Sequence, residues 1–182
     1  MSRSKTIQYV ALLRGINSGK NPSTKMDVLR KAFETMGYEN VSTILATGNV
    51  IFTSPESNPI KIEKNIFETL PSFIGFESDV IVRPVDDILA LVRSEPFSPF
   101  NTFKKPRLYA TFIHTEQKIE SKYPIQTEEY VIIDNFDGVV CSMVFDESYK
   151  TPDLMKTLER MFGKNITTRN WNTVIKIISK KI

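Results

Sequence analysis

One cysteine and one histidine in 182 residues remove several classes of chemistry at once. The lone Cys141 excludes an internal disulfide and a Cys-based zinc cluster, and it fits a reducing cytoplasm. The lone His114 sits at a strand end with no serine or cysteine nucleophile motif beside it, so a histidine triad has little support. No stretch approaches about 18 uncharged apolar residues, so no membrane span is expected. The N-terminus has basic residues but neither a long apolar segment nor a small-residue cleavage site, and the expected location is the cytoplasm. No His/Cys/Asp arrangement has metal-ligand spacing, and no cofactor is expected. Adjacent acids at Asp86-Asp87, Glu128-Glu129 and Asp146-Glu147 read as solvated element ends.

What is present is an ordinary globular composition, 41% apolar and 25% charged, in a chain long enough for one core or two small halves. The net charge of +3 conceals an asymmetry. Residues 1–31 carry seven Lys/Arg against one acid, and so do residues 156–182, which leaves the middle strongly acidic. Basic ends that met in space would suit phosphate or carboxylate ligands.

Hydrophobic patterning gives the order of elements. Residues 6–13 form an almost unbroken apolar strand, expected in the centre of a sheet. After a polar loop, Met26, Leu29, Phe33 and Met36 recur at helical spacing, with Ser23 or Thr24 as N-cap and Gly37 as the stop. A hairpin follows, with strands at 41–46 and 49–53 and a turn at Thr47-Gly48. Asn58-Pro59 opens a helix with Ile62, Ile66, Phe67 and Leu70 on one face, and Pro71 ends or kinks it. A strand at 78–83 leads to a helix marked by Val85, Ile88, Leu89 and Val92. This β-α-β-β-α-β order with a trailing helix is the split βαβ, or ferredoxin-like, arrangement.

Residues 95–106, with three prolines and three phenylalanines, read as an ordered connection between an N-terminal half (1–94) and a C-terminal half (107–182). The second half repeats the pattern. It has strands at 107–114, 128–134 and 139–145, with a short helix at 116–122. A helix opening at Thr151-Pro152 ends near Gly163. A strand at 165–169 precedes a last helix with Trp171, Val174, Ile175 and Ile178 inward. Residues 80–92 lie over 166–178 without a gap, Arg83 falling on Arg169, which points to duplication. The expected class is therefore α+β: two ferredoxin-like halves related by duplication, with antiparallel sheets covered by helices.

The first loop, with Gly15, Ser18, Gly19, Lys20 and Asn21, fails as a nucleotide P-loop. Three residues separate its glycines where the motif requires four, and Asn21 replaces the magnesium-binding Ser/Thr. A looser nest of backbone amides with Arg14, Lys20 or Lys25 stays open, as does a solvated loop whose glycines only allow tight turning. In the split βαβ order the second strand runs parallel to the first, so the turn at Gly48-Asn49 should approach this loop. Near the C-terminus, Asn170 is placed to cap the last helix and Trp171 to anchor it. Neither reading accounts for Arg169 or Asn172. Arg169 fits a bidentate anion contact or a pairing with an acid.

The RGIN, TGN and RNWNT motifs together resemble a widespread bacterial family known as a domain of unknown function. Its members open with a stretch like YVALLRGINVGG, carry an SGNV-type hairpin turn and close with a TARNWNTV-like signature. The matching residues are 9–17, Lys25-Met26 with Leu29, Gly48-Asn49-Val50 and 168–174. Ser18, Lys20 and Thr47 depart from the pattern, and the Ser-Lys-Leu-type start of the penultimate helix is missing. The resemblance implies an α+β fold of two ferredoxin-like halves and implies no activity.

The expected function is binding of a small anionic ligand at the edge built from Arg14, Gly15, Asn17, Lys25, Gly48 and Asn49. Arg169 and Asn172 would join if the second half folds back. The alternative is a nucleic-acid-associated or protein-interaction module using the basic termini. RNA recognition through sheet aromatics finds no support, because the strands concerned are aliphatic. No catalytic residue can be assigned, although amide and arginine side chains are able to stabilise an oxyanion. Oligomeric state leaves no mark on the sequence.

Overall fold

The computed structural model describes residues 6–100, 102–103, 105–114 and 121–180. The fold is α+β, with two antiparallel sheets and helices. The chain divides into two compact units, Met1–Leu89 with Lys176–Ile182, and Ala90–Ile175.

The first unit begins with β1 (Ile7–Leu13), α1 (Met26–Thr35), β2 (Glu39–Ile44) and β3 (Asn49–Ser54). It continues through α2 (Pro59–Thr69), the short α3 (Pro71–Ile74), β4 (Val80–Pro84) and the start of α4 (Val85–Arg93). Its sheet runs β2-β3-β1-β4, and β1 pairs antiparallel with both β3 and β4. Alternation along β1 sends Tyr9, Ala11 and Leu13 into one core with Leu29 and Phe33 of α1, Ile62 and Ile66 of α2, and Phe52 of β3. Val10 and Leu12 point to the opposite face and are also fully buried, as a central strand's continuous apolar run requires. Stacked and tilted ring contacts tie Phe52 to Tyr9, Phe33 and Tyr38.

Local signals account for most of the boundaries. Asn58 caps α2 by accepting from the Ile60 N–H, and Pro59 occupies its first turn. Pro71 closes α2 and begins α3, since a proline cannot donate into the preceding turn. Gly37, at φ +87°, ends α1 in the left-handed region. Glu63 of α2 reaches across to β4: its Oε1 accepts from Val82 N at 2.8 Å and lies 3.7 Å from Arg83 Nη1.

Three expectations need correction in this unit. The N-cap of α1 is Lys25 with no side-chain bond, not Ser23 or Thr24, because Thr24 is held from upstream by Asn17. Phe67 is exposed; the inward face of α2 is carried by Ile62 and Ile66, with Leu70 beyond its end. In α4 the buried set is Val85, Ile88 and Leu91, while Leu89 and Val92 are only half-buried.

The second unit holds β5 (Arg107–Phe112), β6 (Ile125–Gln126), β7 (Tyr130–Phe136), β8 (Val139–Val144), α5 (Thr151–Phe162) and β9 (Thr167–Asn170). Most of α6 (Trp171–Ile178) also belongs to it. The sheet order is β6-β7-β8-β5-β9, again antiparallel throughout. One face packs on Leu154, Leu158 and Phe162 of α5. The other carries Val131, Met143 and Phe145, against which Phe97, Phe100 and Phe103 of the Pro/Phe-rich connection pack.

The edge strand β6 was not expected; two residues are too short to show a period. The expected helix at 116–122 falls mostly outside the described residues, and residues 121–122 form no regular element. In α6 the buried residues are Thr173, Val174 and Ile177, and Ile175 is 38% exposed, so the inward face is turned from the expected one.

Candidate functional site

The first loop and the hairpin turn meet at one end of the sheet. As β1 ends, Leu13 N donates to Gly48 O at 2.8 Å. Arg14 N donates to Asp79 O at 2.9 Å, and Ser78 Oγ donates to Arg14 O at 2.8 Å. The backbone at Arg14 is therefore pinned from both sides. Gly15, at φ +78°, then turns the chain so that Ile16 enters the core. Gly48, also at φ +78°, lies so close to Ile16 that a Cβ would fall 2.8 Å from its Cγ1.

Asn17 fastens the two segments together. It adopts φ +52°, a left-handed conformation that asparagine tolerates better than most residues. Its Oδ1 accepts from Thr24 N at 2.7 Å, and its Nδ2 donates to Thr24 O at 3.0 Å and to Ala46 O at 2.9 Å. The pair of bonds to Thr24 closes the loop, and the bond to Ala46 ties it to the turn. Asn49 is fully buried and donates to Ile44 O and Thr47 Oγ1, which shapes the turn from inside. Both amides are thus engaged by the chain itself. Replacing Asn17 with alanine removes three bonds and strains the positive φ, and should cost about 2 kcal/mol in urea unfolding. A loss no larger than that of an exposed-residue control would show that the bracket does not hold the loop.

Positive charge at this edge comes from Arg14, Lys20 and Lys25, the last two exposed, with no acid between residues 14 and 26; Asp79, whose carbonyl accepts from Arg14 N, brings one acidic residue to the same end. The backbone N–H groups of Gly15, Ile16, Asn17, Gly19 and Lys20 donate to no acceptor among the described residues. Donors of this kind gathered in a turn form a concavity for anions.

Arg169 and Asn172 lie in the second unit. Arg169 Nη1 donates to Thr167 Oγ1 at 2.8 Å and Thr168 O at 3.1 Å. Desolvation lowers its pKa to about 10, so it stays charged at neutral pH. Asn170 caps α6 by accepting from Thr173 N and Thr173 Oγ1. Asn172 is exposed and lines a cleft with Arg107, Tyr109 and Trp171. Arg107 attracts no notice in the sequence, where it only follows a proline at a strand start. The fold alone sets it beside Asn172.

Cys141 is fully buried, and desolvation drives its thiol up to about 12, which leaves it a core residue without nucleophilic character. Among the described residues, no group of three His, Cys, Asp or Glu side chains is arranged to hold a metal ion, and no helix is long and apolar enough to cross a membrane.

No curated protein matches the sequence. Among solved structures the chain is similar to the conserved bacterial protein SP0830 from Streptococcus pneumoniae, at 24% identity and a TM-score of 0.76. That match covers 96% of this chain and 98% of the other, and it extends to the fold alone. The model of a protein family of unknown function, DUF1697, matches residues 7–133, from β1 into β7 and across the RGIN loop and the Gly48 turn. The chain belongs to that family.

Proposed function

We propose that this protein binds a small anionic ligand at the edge where the loop 14–25 meets the turn 45–48. The observation that carries the reading is the row of unused backbone N–H groups at Gly15, Ile16, Asn17, Gly19 and Lys20. They sit in a basic segment free of acids, so an anion would meet donors and cations without a competing carboxylate in that segment. Arg14, Lys20 and Lys25 supply charge. Gly15 and Gly48 give the backbone its path, and Asn17 and Asn49 hold that path rigid. Rigidity lowers the ordering cost of binding, which is why a clamped loop favours a ligand over a loose one.

A thermal-shift screen with inorganic phosphate, nucleotides, sugar phosphates and simple carboxylates tests this. A ligand at a hundred times its Kd should stabilise the protein by about 2.7 kcal/mol. Arg14→Ala should abolish the shift. If no ligand raises the melting temperature, or if Arg14→Ala leaves a hit unchanged, the reading fails. Nucleic-acid binding that weakens steeply with salt would instead support the module built on the basic termini.

We also infer that residues 1–94 and 107–182 are ferredoxin-like copies of one ancestor. Setting β6 aside, β2-β3-β1-β4 corresponds to β7-β8-β5-β9. Arg83 pairs with Val10 as Arg169 pairs with Ala110. Buried Ile88 and Leu91 correspond to buried Val174 and Ile177 at the same offset, a match of side-chain environment as well as order.

A further inference from the structure

We propose that the second unit binds a small amphipathic carboxylate, a monoanion with an apolar ring or short acyl body, in a groove distinct from the RGIN edge. Two adjoining hollows of about 410 and 320 Å³ share Pro106, Leu108 and Trp171 as a common wall. The larger is apolar, walled by Phe97, Phe100, Leu108, Met143 and Trp171. Its volume is within the range of sites for small organic ligands. The Phe97 and Trp171 rings meet edge to face at 4.9 Å, so the wall is a fixed aromatic corner. Glu95 lines this hollow too, and it is exposed to solvent.

The smaller hollow supplies the polar half, with Arg107, Tyr109, Asn170 and Asn172. Arg107 donates from Nη2 to Tyr149 O, while its Nε is buried and has no hydrogen-bond partner among the described residues. Arg107 is the one cation among the residues lining this hollow, and a carboxylate is the acceptor that matches a guanidinium best. Asp146 does not fill that role: it is half-buried, its Oδ1 accepts from Ser148 N at 2.9 Å, and it is held below the usual carboxylate range first by that donation, with Lys105 and Arg107 adding to it. One guanidinium with neighbouring amides balances a single negative charge, so a monoanion fits where a phosphate dianion would be under-compensated. The apolar hollow next to it takes the body of the same molecule.

Trp171 is the only tryptophan in the chain and forms the shared wall, so its fluorescence reports the groove directly. Phenylacetate, its neutral isostere phenylacetamide, and acetate are titrated against the full chain. Phenylacetate is expected to give a saturable change, with phenylacetamide and acetate each at least about tenfold weaker, the size of one charge-assisted bond or one buried ring. Arg107→Gln should weaken phenylacetate by about ten- to a hundredfold and leave phenylacetamide unchanged. Should Arg107→Gln not fold, Ser98→Phe, at an exposed lining position, should abolish the phenylacetate response in a folded protein. The proposal is overturned by the absence of a saturable change, by phenylacetamide binding as well as phenylacetate, or by either folded variant behaving as the parent.

Discussion

Truncating Phe52 to alanine is expected to destabilise the first unit by about 3–5 kcal/mol, measured by urea denaturation. Phe52 is fully buried in the middle of the four-stranded sheet, and its ring contacts Tyr9, Phe33 and Tyr38 at centroid distances of 5.9, 5.4 and 4.6 Å. Removing it deletes the transfer free energy of a large apolar side chain and opens a cavity. The surrounding rings come from β1, α1 and the segment before β2, so no single element can move to fill it. The aromatic pair contributions, about 0.5–1.5 kcal/mol each, are lost as well. Phe52→Leu should recover roughly half of the loss, because it restores volume without the ring contacts. A cost for Phe52→Ala below about 1 kcal/mol would mean that the cluster is not a close-packed core.

The second large effect is expected at Gly48. Alanine there pays twice: once for φ +78°, and again because its Cβ would lie 2.8 Å from Ile16 Cγ1 and 3.0 Å from Leu13 Cβ. The first term costs about 1–2 kcal/mol and the overpacking about 1–3 kcal/mol, for a total of about 2–4 kcal/mol. Gly19 isolates the first term. It has φ +82° with nothing near its missing Cβ, so Gly19→Ala should cost only about 1–2 kcal/mol. If the two substitutions cost the same, the close approach of the hairpin turn to Ile16 does not constrain the loop. If Gly48→Ala is the larger, it should also weaken any ligand held at the RGIN edge, since the displaced Ile16 neighbours the donor-bearing loop.

Much of the fold was legible because short-range signals dominate where they occur. Asn58-Pro59 starts a helix through a bond two residues long, and Gly37 stops one through its own φ. The apolar run of β1 reports burial on both faces directly. Errors arose where the decisive contact is distant in sequence or where a helical period admits two rotations. Thr24 has the side chain of a good cap, yet Asn17, seven residues away, takes its backbone N–H and carbonyl. In α6 either Val174 with Ile175 and Ile178, or Thr173 with Val174 and Ile177, makes a continuous stripe. Tertiary packing chose the second, and Ile175 went outward.

The candidate edge was legible in location and less so in role. Strand order alone brought Gly48 to the RGIN loop. Spacing could not reveal that Asn17 and Asn49 spend their amides internally, because an asparagine beside a glycine reads the same whether it faces a ligand or a carbonyl. Arg107 was invisible for a different reason: no local pattern distinguishes an arginine at a strand start from one in a cleft.

Glu63 on α2 gives the first sheet a guarded border. The Val82 N–H points away from β1 at the outer side of β4, and the carboxylate already holds it at 2.8 Å. An incoming strand would have to evict that carboxylate from a donor and from Arg83, so polymerisation along this border is disfavoured. Continuation of this first sheet into another molecule would have to start from β2, at its opposite rim.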